Sequence, residues 1–481
     1  MATSSTTFSH FLPHSISLSL SKPKLHFKTI QPIRATISSN LSDPLVLQIA
    51  ETFEDSLSLS SSTTTPSLQK LRDTSSQSIL SLSWPTVKDE PFRFTDTSFI
   101  KTCEIKPVSS IPIPSSSIPS ELNDTQFANL VIVDGHVVSS YKISEFPKGV
   151  FVGSVNDIDS EVIKKRVFEF VSDFQDGDLF WSLNGIGAPD FTVVYVPSDC
   201  KVEMPLHFTF FSSESGDIGS KVLPVSNPRV LVLVEKGGEI EIIEEYFGAD
   251  ENQCYWVNSA MEVLIGEGGK VTHSYIQRQG PNSAHTKWTF VRQEAASTYK
   301  VVEISTGGTL SRHNLHVQQV GPDTVTEFST FHLCVNDQTQ DLHSRLVLDH
   351  PGGTSQQLHK CIVAHSSGKV VFDGNVKVNR YAQKTDAGQL TRSLLLEPRA
   401  SVNLKPNLQI IADDVKCSHG AAISDLEADQ LFYFRARGID SKTARKALVL
   451  SFGAEVMNQL PHKSLRLKIE DHVKNLLTPV L

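Results

Sequence analysis

Residues 229–246 read RVLVLVEKGGEIEIIEEY, and residues 260–280 read AMEVLIGEGGKVTHSYIQRQG. In each, a β-branched, apolar run stops at a Gly-Gly pair and a second run follows at once. The same grammar returns in 298–321, TYKVVEISTGGTLSRHNLHVQQVG, and in 368–380, GKVVFDGNVKVNR. Such runs parted by Gly, Asn and Asp turns are strand signals, and the turns recur very roughly every dozen to sixteen residues, the spacing of stacked short strands. From about Asp190 to Lys416 no helix-length periodic segment intervenes, which excludes a βαβ chain. Two all-β architectures remain. A β-helix, in which each coil buries its inner face against the next, is favoured over a jelly-roll sandwich.

Helical patterns flank this region. SDPLVLQIAETFEDSL (Ser42–Leu57) has a polar N-cap and apolar residues at helical spacing, and SLQKLRDTSSQSIL follows more weakly after a low-complexity Ser/Thr stretch. The Pro/Ser run SSIPIPSSSIPS at 109–120 cannot hold a regular element and reads as a linker. Glu161–Phe174, EVIKKRVFEFVSDF, is amphipathic and is the last helix expected before the β region. Past that region, Ser424 and Glu427 form a capping box for a helix through EADQLFYFRAR that stops at Gly438. A second helix follows Ser441 with an apolar stripe at Ala444, Leu448, Phe452, Val456 and Leu460. Pro461 ends it, and a third helix covers roughly 463–477. The consecutive Leu431, Phe432, Tyr433 and Phe434 cannot all face one core, so some must meet a second surface. The organisation expected is a leader over 1–42, a mixed helical domain over 43–189, the β core over 190–420 and a helical tail over 421–481.

The chain has 481 residues, 39% apolar and 20% charged, enough for a real core and roughly three domains of about 150 residues. Its formal charge is −9, and the first acid is Asp43. Residues 1–42 carry only the bases Lys22, Lys24, Lys28 and Arg34, so the remainder is more acidic still. That balance disfavours nucleic acid and anionic membranes as partners. No apolar run approaches the roughly 18 residues of a membrane span. The leader is rich in Ser and Thr, lacks a continuous apolar centre, and reads as a plastid transit peptide cut near Ala35. Cys103, Cys200, Cys254, Cys334, Cys361 and Cys417 form no CxxC. They are expected as reduced thiols, most of them buried.

Ordinary catalytic motifs are missing. There is no GxxxxGK[ST], since Gly368-Lys369 lacks both the upstream Gly and the following hydroxyl, and no GxGxxG, HExxH or GxSxG. The histidines of the β region (His313, His316, His332, His343, His350, His359, His365) are expected as hydrogen-bonded or exposed residues of the scaffold. Cys417-Ser418-His419-Gly420 is sharper. On an extended chain, residues two apart point to one side, so thiol and imidazole share a face while Ser418 points away. Both are ligands suited to Fe or Zn, but two do not complete a site, so the rest must come from another chain or the substrate. The alternative is a packed Cys beside a turn His.

At this point the residues resemble a known family. Asp413–Val456, DDVKCSHGAAISDLEADQLFYFRARGIDSKTARKALVLSFGAEV, is similar to the C-terminal signature of the SufB/SufD family of iron–sulphur cluster assembly proteins. PTVKDEPFRFTD at 85–96 and LNGIGAPDFTVVYVPSDCKVEMPLHF at 183–208 support it more loosely. The CSHGA stretch resembles the SufD branch, while Val87 and Phe92 depart from the Arg and Trp usual in the N-terminal segment. The resemblance implies a right-handed parallel β-helix between helical N- and C-terminal domains. It implies pairing with a SufB-like paralogue through the β-helices, and docking of a SufC-like ABC-type ATPase on the C-terminal helices, which accounts for the missing P-loop. His419, with Cys417 as its neighbour, would face a cysteine of the SufB-like partner. There iron or a nascent Fe–S cluster would be held transiently, with no resident cofactor. Phe432, Tyr433, Phe434, Arg435 and Arg437 would meet the ATPase. The chain would be a non-catalytic scaffold subunit of the plastid stroma.

Two other readings are weighed against it. One is a carbohydrate-active β-helix enzyme, which needs paired acids on adjacent coils; Asp323, Glu327, Asp337 and Asp341 are available, but their spacing does not suit stacked strands. The other is a purely structural β scaffold in which CSHG only packs.

Overall fold

The Gly-Gly pairs are corners of a coil, not hairpins. At one corner of every turn a residue takes positive φ: Asp199, Gly237, Gly268, Ala296, Asp323, Gly352 and Lys384, all between 53° and 76°. Each of these residues donates its N–H to a carbonyl of the next coil, for example Gly268 to Ala295 at 2.8 Å and Asp323 to Pro351 at 3.0 Å. A left-handed corner aims that N–H along the stack, and glycine adopts it without a Cβ penalty. The corners therefore stack as a column.

Between corners lie two parallel sheets. The first runs through Thr192–Val196, Arg229–Val234, Gln253–Ile265, Ser283–Gln293, Leu310–Gln319, Thr339–Leu348, Lys369–Val378 and Ser401–Ile410. The second runs through Leu206–Phe211, Glu239–Phe247, Lys270–Gln277, Thr298–Ser305, Val325–Cys334, Thr354–Val363, Asp386–Leu395 and Lys416–Ser424. The chain alternates between sheets, making a parallel β-solenoid of about 7 turns, with helices at both ends of the sequence. Leu310 pairs with Thr339 and Thr339 with Lys369, so a coil takes roughly thirty residues, two of the turn spacings read from the sequence.

The computed structural model describes residues 42–59, 64–108, 126–213, 216–217, 221–248, 253–426 and 428–479. The leader up to Leu41, the heart of the Ser/Thr run, the 109–120 linker and Glu427 of the expected capping box lie outside the described residues. Those from Ser42 onward fold as one unit.

The two ends of the solenoid differ. At the start, Phe151–Ser154 lies antiparallel on Thr192–Val196. On the other sheet Ala128–Val133 adds to Leu206–Phe211, and His136–Tyr141 folds back antiparallel on it. The start thus ends in reversed strands. At the finish, Ser401–Ile410 and Lys416–Ser424 are the outermost strands and carry no cap among the described residues.

The helices are α1 (Pro44–Leu59), α2 (Pro66–Ile79), α3 (Ser98–Lys101), α4 (Glu161–Phe170), α5 (Leu179–Gly187), α6 (Ala428–Ala436), α7 (Ser441–Met457) and α8 (Lys463–Leu477). The expected helix over Glu161–Phe174 stops at Phe170, because Val171 leaves helical geometry, Ser172 takes φ 66°, and Phe174 turns to stack on Phe290. Nor is it the last helix before the solenoid, since α5 follows. Asp178 caps α5 at the N–H groups of Phe180 and Trp181, and all its residues but the last are buried. The apolar residues of α1, α5 and the segment around Trp84 pack on Leu223, Trp256 and Leu310 of the first sheet. α7 and α8 cover the outside of the second sheet, where Val449, Val456, Ile469 and Val473 meet Ile276, Ile304, Phe331 and Ile362. The stripe drawn every four residues on α7 is half right. Ala444, Val456 and Leu460 are buried, but Val449 and Gly453 replace Leu448 and Phe452, because steps of four drift about 40° each on a helix of 3.6 residues per turn.

The solenoid interior is apolar at its rim and ionic at its centre. Glu244 takes bonds from Lys287, from the Tyr246 hydroxyl (2.5 Å) and from His273 (3.0 Å), and all four side chains are buried. Glu303 sits between His313 (2.8 Å) and His332 (2.9 Å). Cations and ring N–H groups outweigh desolvation and hold the Glu244 and Glu303 carboxyls well below the ordinary carboxylate range.

Candidate functional site

Cys417 and His419 lie on Lys416–Ser424, the last strand of the second sheet. It pairs in parallel with Asp386–Leu395, Cys417 opposite Ala387 and His419 opposite Gln389. Ala387 and Gln389 are interior residues, 2% and 3% exposed. Parallel register puts paired residues on one face, so thiol and imidazole both continue rows of the solenoid interior, as the alternation of the strand required. Here the interior ends: Cys417 is half-buried against the rim of the apolar core, and His419 is exposed. Burial pushes the Cys417 thiol up, as does the nearby Asp386 carboxylate, against a backbone hydrogen bond from Ala387.

Around the pair the last coil shows apolar side chains, Ile410, Ile411 and Ile423, each 46–53% exposed. With the free strand edges they make a surface that asks for a cover. The sequence reading named the Cys/His pair and passed over these three. Their signal is apolar alternation carried on to a strand with no successor, which shows only once the stack is known to end. Two donors on one face can bind a metal ion but do not enclose it, and among the described residues no three His, Cys, Asp or Glu side chains gather in a metal-binding group.

The second predicted surface is α6, which buries none of its residues. Phe432 is 71% and Tyr433 57% exposed, Phe434 is half-buried, and Arg435 and Arg437 are exposed. The Arg437 guanidinium stacks on the Tyr433 ring at 4.2 Å. α6 ends in Gly438 at φ 82°, the left-handed stop expected there. It follows the strand that carries Cys417 and His419 with only a short connection, so both surfaces lie on the C-terminal part of the chain.

The N-terminal segment 85–96 is clamped to the outside of the first sheet. Buried Arg312 donates to the Pro91 carbonyl at 3.0 Å and lies over the Phe92 ring at 3.9 Å, and Thr95 donates to Asp341 at 2.6 Å. Val87 is exposed. Most of the singled-out histidines have partners: His313 and His332 on Glu303, His343 on Asp341, His359 on Thr330. The four acids considered for catalysis do not face one groove. Asp341 is buried against Arg312, Glu327 pairs with Lys300 on the second sheet, Asp323 is a corner residue, and Asp337 lies in an opposite turn. Of the cysteines expected mostly buried, only Cys334 and Cys361 are fully so. The other four are half-buried, because they lie at strand ends or rims where the coil opens to solvent.

Residues 46–208 match the family described as SufBD protein N-terminal region, and residues 216–452, which span both surfaces, match SUF system FeS cluster assembly, SufBD core domain. A chloroplastic protein of Arabidopsis thaliana named ABCI7 is 59% identical over 95% of this chain and 96% of its own length. An iron-sulfur cluster assembly SufBD family protein of Synechocystis is 34% identical over 80% and 86%. The iron-sulfur cluster assembly protein SufD of Escherichia coli is 26% identical over 82% and 89%.

Proposed function

The chain belongs to the SufB/SufD family of the iron–sulphur cluster assembly system, and on that premise we propose that it is the SufD-type scaffold subunit of a plastid assembly complex. The single observation that carries this reading is the last coil, which presents Cys417 and His419 on one face, with exposed Ile410, Ile411 and Ile423, beside strand edges unpaired among the described residues. A SufB-like paralogue covers that coil, continues its edges, and brings the missing ligands. Iron or a nascent cluster is cargo there, held by His419 and by Cys417 while the partner is seated. The protein performs no bond-breaking itself. Nucleotide hydrolysis belongs to a SufC-like ABC ATPase docked on α6 through Phe432, Tyr433, Phe434, Arg435 and Arg437. The plastid location rests on the chloroplastic relative and on the hydroxyl-rich leader.

The chemistry suits the cargo. A thiolate is a soft ligand and an imidazole a borderline one, both matched to iron. The raised Cys417 thiol gives up its proton as metal arrives, so loading favours higher pH. A half-site also releases its cargo when the partner moves, as a scaffold must and a resident cofactor site must not.

The test is co-expression with the SufB-like and SufC-like partners of the same plastid. His419→Ala should leave the complex intact on gel filtration and lower the visible absorbance of assembled cluster at least tenfold, as loss of a ligand does. Unchanged cluster yield in an intact complex would remove the site assignment.

A further inference from the structure

Gln357, Gln389 and His419 occupy one interior row on three successive coils of the second sheet. Gln389 is 3% exposed, and its Nε2 donates to Oε1 of Gln357 at 3.0 Å. The amide sits where Gly374 leaves room: a Cβ on Gly374 would come within 2.4 Å of that Nε2. Oε1 of Gln389 is left as a buried acceptor with no partner. Such an orphan is costly, and a native protein keeps few of them without a use.

Stacked amides in parallel strands form a polarised ladder, each donating to one neighbour and accepting from the other at the strand spacing of about 4.8 Å. The row is short, since Phe328 precedes Gln357 and the Nε2 of Gln357 itself has no partner, so with the amides oriented in this way the group in the row that could satisfy Oε1 of Gln389 is a donor on the next residue. That residue is His419, whose ring has no hydrogen-bond partner among the described residues. We propose that Gln389 is the positioning residue for His419: its Oε1 accepts the ring N–H, fixing one tautomer and turning the other ring nitrogen outward to the cargo. Metal-binding imidazoles generally hold such an acceptor on the nitrogen away from the metal, and it orients the ring. The two groups are not bonded in this structure, so the hydrogen bond requires the exposed His419 ring to turn onto Oε1, and it involves this chain alone. Its bearing on iron rests on the function proposed above.

The two parts are separable by experiment. In the whole metal-free chain labelled with 15N-histidine, at a pH where the imidazole is neutral, His419 should show one dominant tautomer. Gln389→Leu should lower that preference roughly fivefold, the worth of one hydrogen bond, and Gln389→Glu, which keeps the acceptor, should restore it. Equal tautomer ratios in the native chain and in both variants overturn the proposal. Should Gln389→Leu not fold, Gln389→Glu must still shift the His419 N–H resonance downfield, and an unmoved resonance overturns it equally. In the partnered complex, Gln389→Leu should weaken Fe(II) binding about tenfold and Gln389→Glu should not. A His419→Ala complex that binds Fe(II) as the native one does removes the ligand role of His419 while leaving the tautomer result to be judged by itself.

Discussion

The ammonium of Lys287 bonds the carboxylate of Glu244 across the solenoid, and neither side chain has any contact with solvent. They come from opposite sheets, so the pair ties the two walls of the coil together. Burial opposes the charge of both groups, and Glu244 stays ionised only because Lys287 and His273 face it.

Lys287→Met should therefore cost about 3–5 kcal/mol, since it strands a buried carboxylate, whereas Lys287→Met combined with Glu244→Leu should cost less than the single change. Denaturant midpoints of the two variants decide it. A double variant less stable than Lys287→Met would show that the pair is not an isolated unit.

Acid should unfold the chain well above the carboxylate range. Burial holds His285 down at about 3, and His316 and His472 at about 4, with nearby cations (Lys287, Arg345 and Arg278 respectively) adding to it. These groups are neutral in the folded chain and take protons in the unfolded one below the ordinary value of about 6.5. Their contribution is complete above that value and is lost as pH falls toward the folded values. The three together give a slope that peaks at about 4 kcal/mol per pH unit around pH 5 and falls off toward pH 6 and pH 4. Thermal melts across that range check it, and a melting temperature flat from pH 7 to pH 4.5 would contradict it.

The corner column yields a paired test. Gly268→Ala meets no atom within 4 Å, so its cost, about 1 kcal/mol, is that of the left-handed backbone alone. Ala296→Gly, at the same place one coil on, should change stability in the opposite direction by about 0.5 kcal/mol. Opposite signs in denaturant midpoints confirm that the corner, not side-chain packing, is being read.

Phe432→Ala should leave the folded chain within about 0.5 kcal/mol of native stability, because the ring is 71% exposed and buries nothing. Its effect should appear on the ATPase partner instead, as a loss of about 2 kcal/mol or more in binding, the mark of an aromatic anchor. Calorimetric titration measures this. Native affinity in Phe432→Ala would move the docking site off α6.

Much of this was legible from local chemistry. Gly237-Gly238 and Gly268-Gly269 marked corners, and the twelve-to-sixteen-residue rhythm was half a coil. The Cys417-x-His419 spacing placed a thiol and an imidazole on one face without any knowledge of the fold. α5 escaped because Leu179, Phe180, Trp181, Leu183 and Ile186 are all buried, and a helix covered on every side shows no amphipathic period. Glu244, Lys287 and Glu303 went unnoticed, since only the register across coils reveals that charges from distant segments meet inside. Gln389 was invisible for the same reason: it lies thirty positions before His419 in the sequence and one rung away in space.

The reversed strands Phe151–Ser154 and His136–Tyr141 give the solenoid two unlike poles, parallel coils being offered only at the finish. A body with one valence can join one other body and then has nothing left to offer. Repeated parallel coils open at both poles would lengthen into fibrils as concentration rose. A solenoid with one such pole halts at a pair rather than seeding filaments.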